Sequence, residues 1–229
     1  MMIGCLIVHG YTGSPYEVAP LADYLREHTD WQVDVPTLPG HGLELTLKYV
    51  TYQHWLAAAE NALKQLEEKA DTIYLIGFSM GGMIAAYLAS KHMVAKLVLL
   101  APSGKYLAFR KVMKDLRGIA ADGFKGNIEQ NRLYLYSKYK WGTVPLKANI
   151  EFLKLVRFTR QFLGKVMSPV LIAHGQQDII VPYQTGYYMD KKIASEQKKI
   201  VLFDQSGHML CLGDDCAILN RMVYRFLNG

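Results

Sequence analysis

The 229-residue sequence predicts an α/β fold, an open, doubly wound, mostly parallel sheet formed as one domain. Two observations carry this expectation. Short apolar runs rich in Val, Ile and Leu alternate with helix-like stretches, the pattern of parallel strands covered on both faces. With 51% hydrophobic residues, the chain also has enough apolar surface to bury a full core.

Taken in order, strands are expected near Gly4 to His9, Gln32 to Val35, Thr72 to Gly77, Lys96 to Ala101, Pro169 to Ala173 and Lys199 to Phe203. Helices are expected at Glu17 to His28, Tyr52 to Lys69, Met80 to His92, Gln184 to Ile193 and Asp215 to Phe226. Thr51 and Asp214 stand just before two of these, where a side-chain oxygen satisfies orphan backbone amides at a helix start. Right-handed crossovers then wind the strands into one sheet.

The alternation breaks between Ser103 and Lys165, where about 60 residues replace the single helix a crossover needs. An insertion at 104–165 between core segments 1–103 and 166–229 is the economical reading, and it is expected to form a helical cap. Its apolar residues, among them Tyr106, Phe109, Trp141, Phe152, Leu155 and Phe158, alternate with Lys and Arg as in short amphipathic helices lying on a surface.

The net charge of +6 is unevenly spread. Residues 104–165 hold 14 Lys and Arg against 4 Asp and Glu, a net of +10, while the rest of the chain has 12 against 16. That basic segment suits a solvated face first, and weak association with an anionic substrate or an anionic membrane surface second. No separate basic module accompanies it, so nucleic acid is not an expected partner. Cys5, Cys211 and Cys216 form an odd, sparse set without a CxxC pair, which fits reduced thiols in a cytoplasm. Cys211 lies three residues after His208, but no second cluster supplies the other ligands of a closed zinc site. The N-terminal run is apolar without a basic leader or 18 uncharged residues in a row, so neither secretion nor membrane spanning is expected.

Gly77-Phe78-Ser79-Met80-Gly81 has the form G-x-S-x-G, followed by Gly82. By composition alone this pattern arises in roughly one chain in ten of this length, so its context decides. An apolar strand precedes it from Thr72 and an apolar helix follows through Ala89, which makes it a sharp strand-to-helix turn presenting a serine. A serine hydroxyl attacks poorly unless a base takes its proton, and the base needs a partner to fix its tautomer.

Those partners are sought later in the chain. His208, in Gln205-Ser206-Gly207-His208-Met209, follows an apolar strand and is the candidate base. Asp178 ends Gly175-Gln176-Gln177-Asp178 after another strand, at the sheet edge where catalytic groups gather, and is the candidate acid. Asp204 competes, since it too ends a strand, but it stands only four residues before His208 on the same loop. His28, His54 and His92 fall in helix-like settings as surface residues. His9, His41 and His174 each adjoin a glycine near a strand end; they are expected to hydrogen-bond loop backbone first and to shape the pocket second. For a developing oxyanion, the backbone amides of Met80, at a helix start, and Tyr11, after the first strand, are the candidate donors.

In these motifs the sequence resembles the α/β-hydrolases, and more narrowly bacterial carboxylesterases and monoacylglycerol lipases. The matching segments are His9-Gly10-Tyr11-Thr12-Gly13, Pro39-Gly40-His41-Gly42, Gly77-Phe78-Ser79-Met80-Gly81-Gly82, Gly175 to Pro182 and Ser206-Gly207-His208. The resemblance implies a nucleophile at Ser79, acid at Asp178, base at His208, oxyanion donors at Tyr11 and Met80, and a cap between sheet and acid loop. It implies carboxylic ester hydrolysis without a cofactor or metal, on a small-molecule ester. Strands that larger members place before Gly4 are missing, so the sheet is expected to be short at one edge. An acyl thioesterase or lysophospholipase is the alternative within hydrolases, because a triad alone does not separate esters from thioesters. A ligand-binding receptor on the same fold is the alternative outside them. Serine at position 79 disfavours the halide- and epoxide-opening enzymes that place an aspartate there.

Overall fold

Among the described residues six strands form one sheet, all pairing in parallel, in the order β2-β1-β3-β4-β5-β6. They are β1 (Ile3–Val8), β2 (Gln32–Asp34), β3 (Thr72–Phe78), β4 (Lys96–Leu100), β5 (Val170–Gly175) and β6 (Lys198–Phe203). The computed structural model describes residues 2–105 and 144–229. Alternation along each strand splits the core in two. In β1, Cys5 and Ile7 face one layer while Leu6 and Val8 face the other.

On the first side lie α1 (Ala19–His28) and α6 (Cys216–Asn228), which bury Leu21, Leu25, Leu219, Val223 and Leu227 against Ile76, Val98 and Leu171. On the second lie α2 (Tyr52–Glu67), α3 (Met80–Ala89) and α4 (Leu146–Thr159), packed over Leu75, Leu97, Leu99 and Ile172. Helix α5 (Gln184–Lys192) adds Met189 to that second cluster. Because both faces are covered, the strands read as continuous apolar runs. Every residue of α3 is buried, which explains why its sequence carries no polar face.

Element ends moved where local signals outweighed the apolar pattern. The first helix was expected from Glu17, but Pro15–Val18 forms a 3-10 turn and the α-helix begins at Ala19, with Pro20 in its first turn. Thr51 occupies the cap position of α2 as expected, and its backbone N–H donates to His54 Nδ1 at 3.1 Å, so His54 serves that cap. The last helix is preceded by Asp215 rather than Asp214. Cys5 and Cys211 lie in the first-side core, where burial pushes both thiols up and keeps them protonated.

Within the expected insertion, residues 106–143 lie outside the described residues, Tyr106, Phe109 and Trp141 among them. Helix α4, by contrast, does not merely lie on a surface. Ala148, Phe152, Leu155 and Val156 are buried in the same cluster as α2 and α3. Glu151, also buried, accepts the Tyr52 N–H at the start of α2 (3.2 Å) and pairs with Lys154 (2.6 Å). Among the described residues no helix is long and apolar enough to cross a membrane.

Candidate active site

Ser79 sits between β3 and α3 with φ 54° and ψ −113°, a backbone state costing on the order of 1–3 kcal/mol that its surroundings must enforce. They do so through three backbone hydrogen bonds. Its N–H donates to the Leu100 carbonyl (2.8 Å), and its own carbonyl accepts the N–H groups of Gly82 and Ser103 (3.1 Å each). The flanking glycines have a steric cause. A Cβ on Gly77 would run into the backbone of Gly81 and Gly82, and one on Gly81 would strike the carbonyl oxygens of Val8 and His9. The elbow is therefore wedged against the end of β1.

Asp178 follows β5 in a loop that turns back on its own carboxylate. Its Oδ1 accepts the N–H groups of Ile180 and Val181, each at 2.8 Å, and its Oδ2 lies 2.6 Å from His208 Nδ1. Burial alone would raise the Asp178 pKa, but the hydrogen bonds from His174 and His208, the His208 charge and the Val181 amide together hold it well below the usual carboxylate range. His208 Nε2 in turn lies 3.1 Å from Ser79 Oγ. A Cβ on Gly175 would meet the carbonyls of Ser206 and Gly207, so the end of β5 and the loop carrying His208 cross at backbone contact. The Gln176 and Gln177 amides donate to the carbonyls of Phe203 and Ser206 and fix that crossing. Asp204, the competing acid, hydrogen-bonds the side chain of Gln176 instead.

Ser79 and His208 open onto one cleft lined also by Gly10, Tyr11, Thr12, Glu17, Phe78, Ser103, Phe152, Ile180 and Val181. Tyr11 reaches it from the loop after β1, and Met80 is the residue directly after Ser79, at the first position of α3. The loop after β1 is held by Gly10 N–H donating to Glu17 Oε2 at 3.0 Å and by Gly42 N–H donating to the Gly13 carbonyl at 3.3 Å. The Tyr11 ring stacks on Phe152 of α4 (centroids 4.9 Å, planes 10° apart), and its hydroxyl donates to Asn149 Oδ1 at 3.1 Å. His9 was expected to bond loop backbone, and its ring lies 2.9 Å from the Gly10 carbonyl through Nδ1 and takes the Leu38 N–H on Nε2 at 3.1 Å. His41 Nδ1 lies 3.1 Å from the Pro39 carbonyl.

A model of the family described as serine aminopeptidase, S33, matches residues 4–215. The chain belongs to that family. The S33 chain is 28% identical over 225 residues to a thermostable monoacylglycerol lipase of a Bacillus species, an alignment covering 93% of this chain and 85% of that protein. It is 26% identical over 233 residues to a pimeloyl-[acyl-carrier protein] methyl ester esterase of Neisseria meningitidis, covering 88% and 84%. A solved structure from work on the metagenome-derived lipolytic enzymes LipS and LipT shares its fold, with a TM-score of 0.79 at 22% identity and coverage of 99% and 93%. The S33 family is one of serine hydrolases on the α/β-hydrolase fold, so the fold expected from the strand pattern is the fold found.

Phe152, named in the sequence only among the apolar residues of the expected cap, faces the cleft from α4. Other residues around the S33 site were not singled out by sequence reasoning. Ser103 and Glu17 carry no motif, and only the fold brings them beside Ser79. His174 was expected to meet loop backbone first, and it does at the Val181 carbonyl (2.9 Å), but its Nε2 also lies 3.3 Å from Asp178 Oδ2. Its signal was its place four residues before the acid at a strand end.

Proposed function

We propose that this chain hydrolyses carboxylic esters through an acyl-enzyme on Ser79, with His208 as general base and acid and Asp178 as its orienting carboxylate. The reading is carried by one observation, the chain of contacts from Ser79 Oγ to His208 Nε2 (3.1 Å) and from His208 Nδ1 to Asp178 Oδ2 (2.6 Å) at the mouth of a cleft. As Ser79 attacks the acyl carbon, His208 takes its proton and the ionised Asp178 stabilises the imidazolium. The amides of Tyr11 and Met80 receive the oxyanion, His208 passes the proton to the leaving alcohol, and water reverses the sequence. The rings of Phe78 and Phe152 with Ile180 and Val181 give the cleft apolar walls, which supports short- to medium-chain acyl esters or monoacylglycerol-like substrates. Segment 104–165 acts as the cap, and its α4 supplies Phe152 to the site. Cys5, Cys211 and Cys216 are free thiols, in keeping with a reducing, cytoplasmic setting.

The test is initial rates on p-nitrophenyl esters from acetate to palmitate, beside acyl thioesters, for wild type and Ser79→Ala. Wild type is expected to peak at one acyl length, and Ser79→Ala to lose at least about a thousandfold in kcat. Turnover of thioesters alone, or of nothing, sinks the ester reading and favours a thioesterase or a receptor.

A second reading concerns where the substrate is met. On α4, Leu146 and Ile150 are 76% and 45% exposed and share the helix with exposed Lys147 and Lys154, a mixture suited to the face of an anionic bilayer. Sedimentation with phosphatidylglycerol vesicles is expected to exceed that with phosphatidylcholine vesicles and to fall with salt and in Lys147→Glu/Lys154→Glu. Equal sedimentation with both vesicles removes this reading.

A further inference from the structure

We propose that His174 is a positioning residue for the reaction, acting only through Asp178; this rests on the reading of Asp178 as the triad acid. His174 is wholly buried at the C-terminal end of β5, in a part of the site that the nucleophile-base-acid scheme leaves unused. Its Nε2 stands 2.9 Å from the Val181 carbonyl and 3.3 Å from Asp178 Oδ2, the very oxygen that faces His208 Nδ1. Val181 closes the arrangement, since its own N–H donates to Asp178 Oδ1. One side chain thus ties both the acid and the loop that carries it to the rigid end of a central strand.

The tautomer follows from the other nitrogen. His174 Nδ1 is buried with no hydrogen-bond partner among the described residues, with Gly186 of α5 and the Ile172 side chain nearby. A proton there would find no acceptor. The tautomer that fits carries its hydrogen on Nε2, which faces the Val181 carbonyl with Asp178 Oδ2 at 3.3 Å from the same nitrogen. The charged and titratable groups facing this proton are Asp178 and, across the carboxylate, His208.

The Ile180 and Val181 amides hold Oδ1, and among the described residues His174 is the one group besides His208 placed at Oδ2, where it keeps that oxygen turned toward the His208 ring. Losing that hold displaces the base relative to Ser79, and misplacements of that order cost up to about 100-fold in rate. Substrate does not touch His174, so the loss belongs in kcat.

The experiment measures kcat and KM on the best p-nitrophenyl ester for wild type, His174→Phe, His174→Gln, Asp178→Asn and His174→Phe/Asp178→Asn. Active sites are counted by fluorophosphonate labelling, and folding is checked by thermal melting. His174→Phe is expected to lose about 10- to 100-fold in kcat with KM within about twofold, and His174→Gln, which keeps a terminal N–H, to recover most of it. In the Asp178→Asn background the same change is expected to cost less than about twofold. Full activity in His174→Phe, equal damage from Phe and Gln, or the same loss in both backgrounds overturns the proposal. Should His174→Phe not fold, His174→Leu takes its place in the same design. Full activity in Asp178→Asn alone instead overturns the triad reading, whereas a crippled Asp178→Asn beside an intact His174→Phe refutes the role of His174 and leaves the triad standing.

Discussion

Among the seven histidines, His9 shows how a buried imidazole couples this structure to pH. With Nδ1 against the Gly10 carbonyl and Nε2 accepting from Leu38, the ring is satisfied only when neutral. Burial lowers its pKa from 6.5, against a smaller opposing effect of the Gly10 carbonyl. The unfolded chain therefore binds this proton first as pH falls, so the stability His9 contributes is complete above about 6.5 and is lost progressively below it, through the folded value. Urea midpoints are expected to decline from pH 7 to 5.5 and to decline less steeply in His9→Phe, with equal slopes counting against this assignment. Asp178, also held below its ordinary value of 3.8, acts in a separate window at lower pH. At this scale the motif residues were legible because their constraints are local. G-x-S-x-G records backbone collisions between residues four apart, and Asp178 and His208 each lie in the loop that follows a strand. His174 was legible only as a buried strand-end residue, because its partner is defined by how the next loop folds back.

For elements, α4 is where reading and structure part. Its amphipathic spacing announced a helix, but the depth of its burial depended on α2 and α3 accepting it, which no local pattern encodes. Phe152 is 7% exposed and stacked on Tyr11, so α4 is at once core and cleft wall. Phe152→Ala is expected to cost about 3 kcal/mol, lowering Tm by roughly 6–12 °C in a chain of this size, and to shift ester preference toward longer or bulkier acyl groups. Differential scanning fluorimetry with the same ester series checks both parts, and an unchanged preference would show that Phe152 does not bound the substrate. Helix starts were readable to within one or two residues, and Pro20 held the information that Ala19, not Glu17, opens α1.

Across the whole molecule, the parallel sheet was legible because continuous apolar strands separated by helices allow few other arrangements. The order β2-β1-β3-β4-β5-β6 brings the ends of β3, β5 and β6 to one edge, where Ser79, Asp178 and His208 follow them. That convergence places residues 129 apart in sequence within 3.1 Å of each other, and it depends on crossover handedness rather than on any motif.

The contact of Gly81 with the Val8 and His9 carbonyls carries a lesson for redesign. It sets the elbow against the end of β1 by main chain alone, whereas Phe152 stacks on Tyr11 and Phe78 lies against Gly10, so those two rings also hold the loop that carries the other proposed oxyanion amide. Ile180 and Val181 make no such contact with that loop, and at these two positions the proposed substrate wall and the proposed oxyanion site are separable variables. A library randomised at those two positions should therefore wander in acyl preference while keeping its capacity to acylate, whereas selection for new chemistry would have to begin by moving a strand.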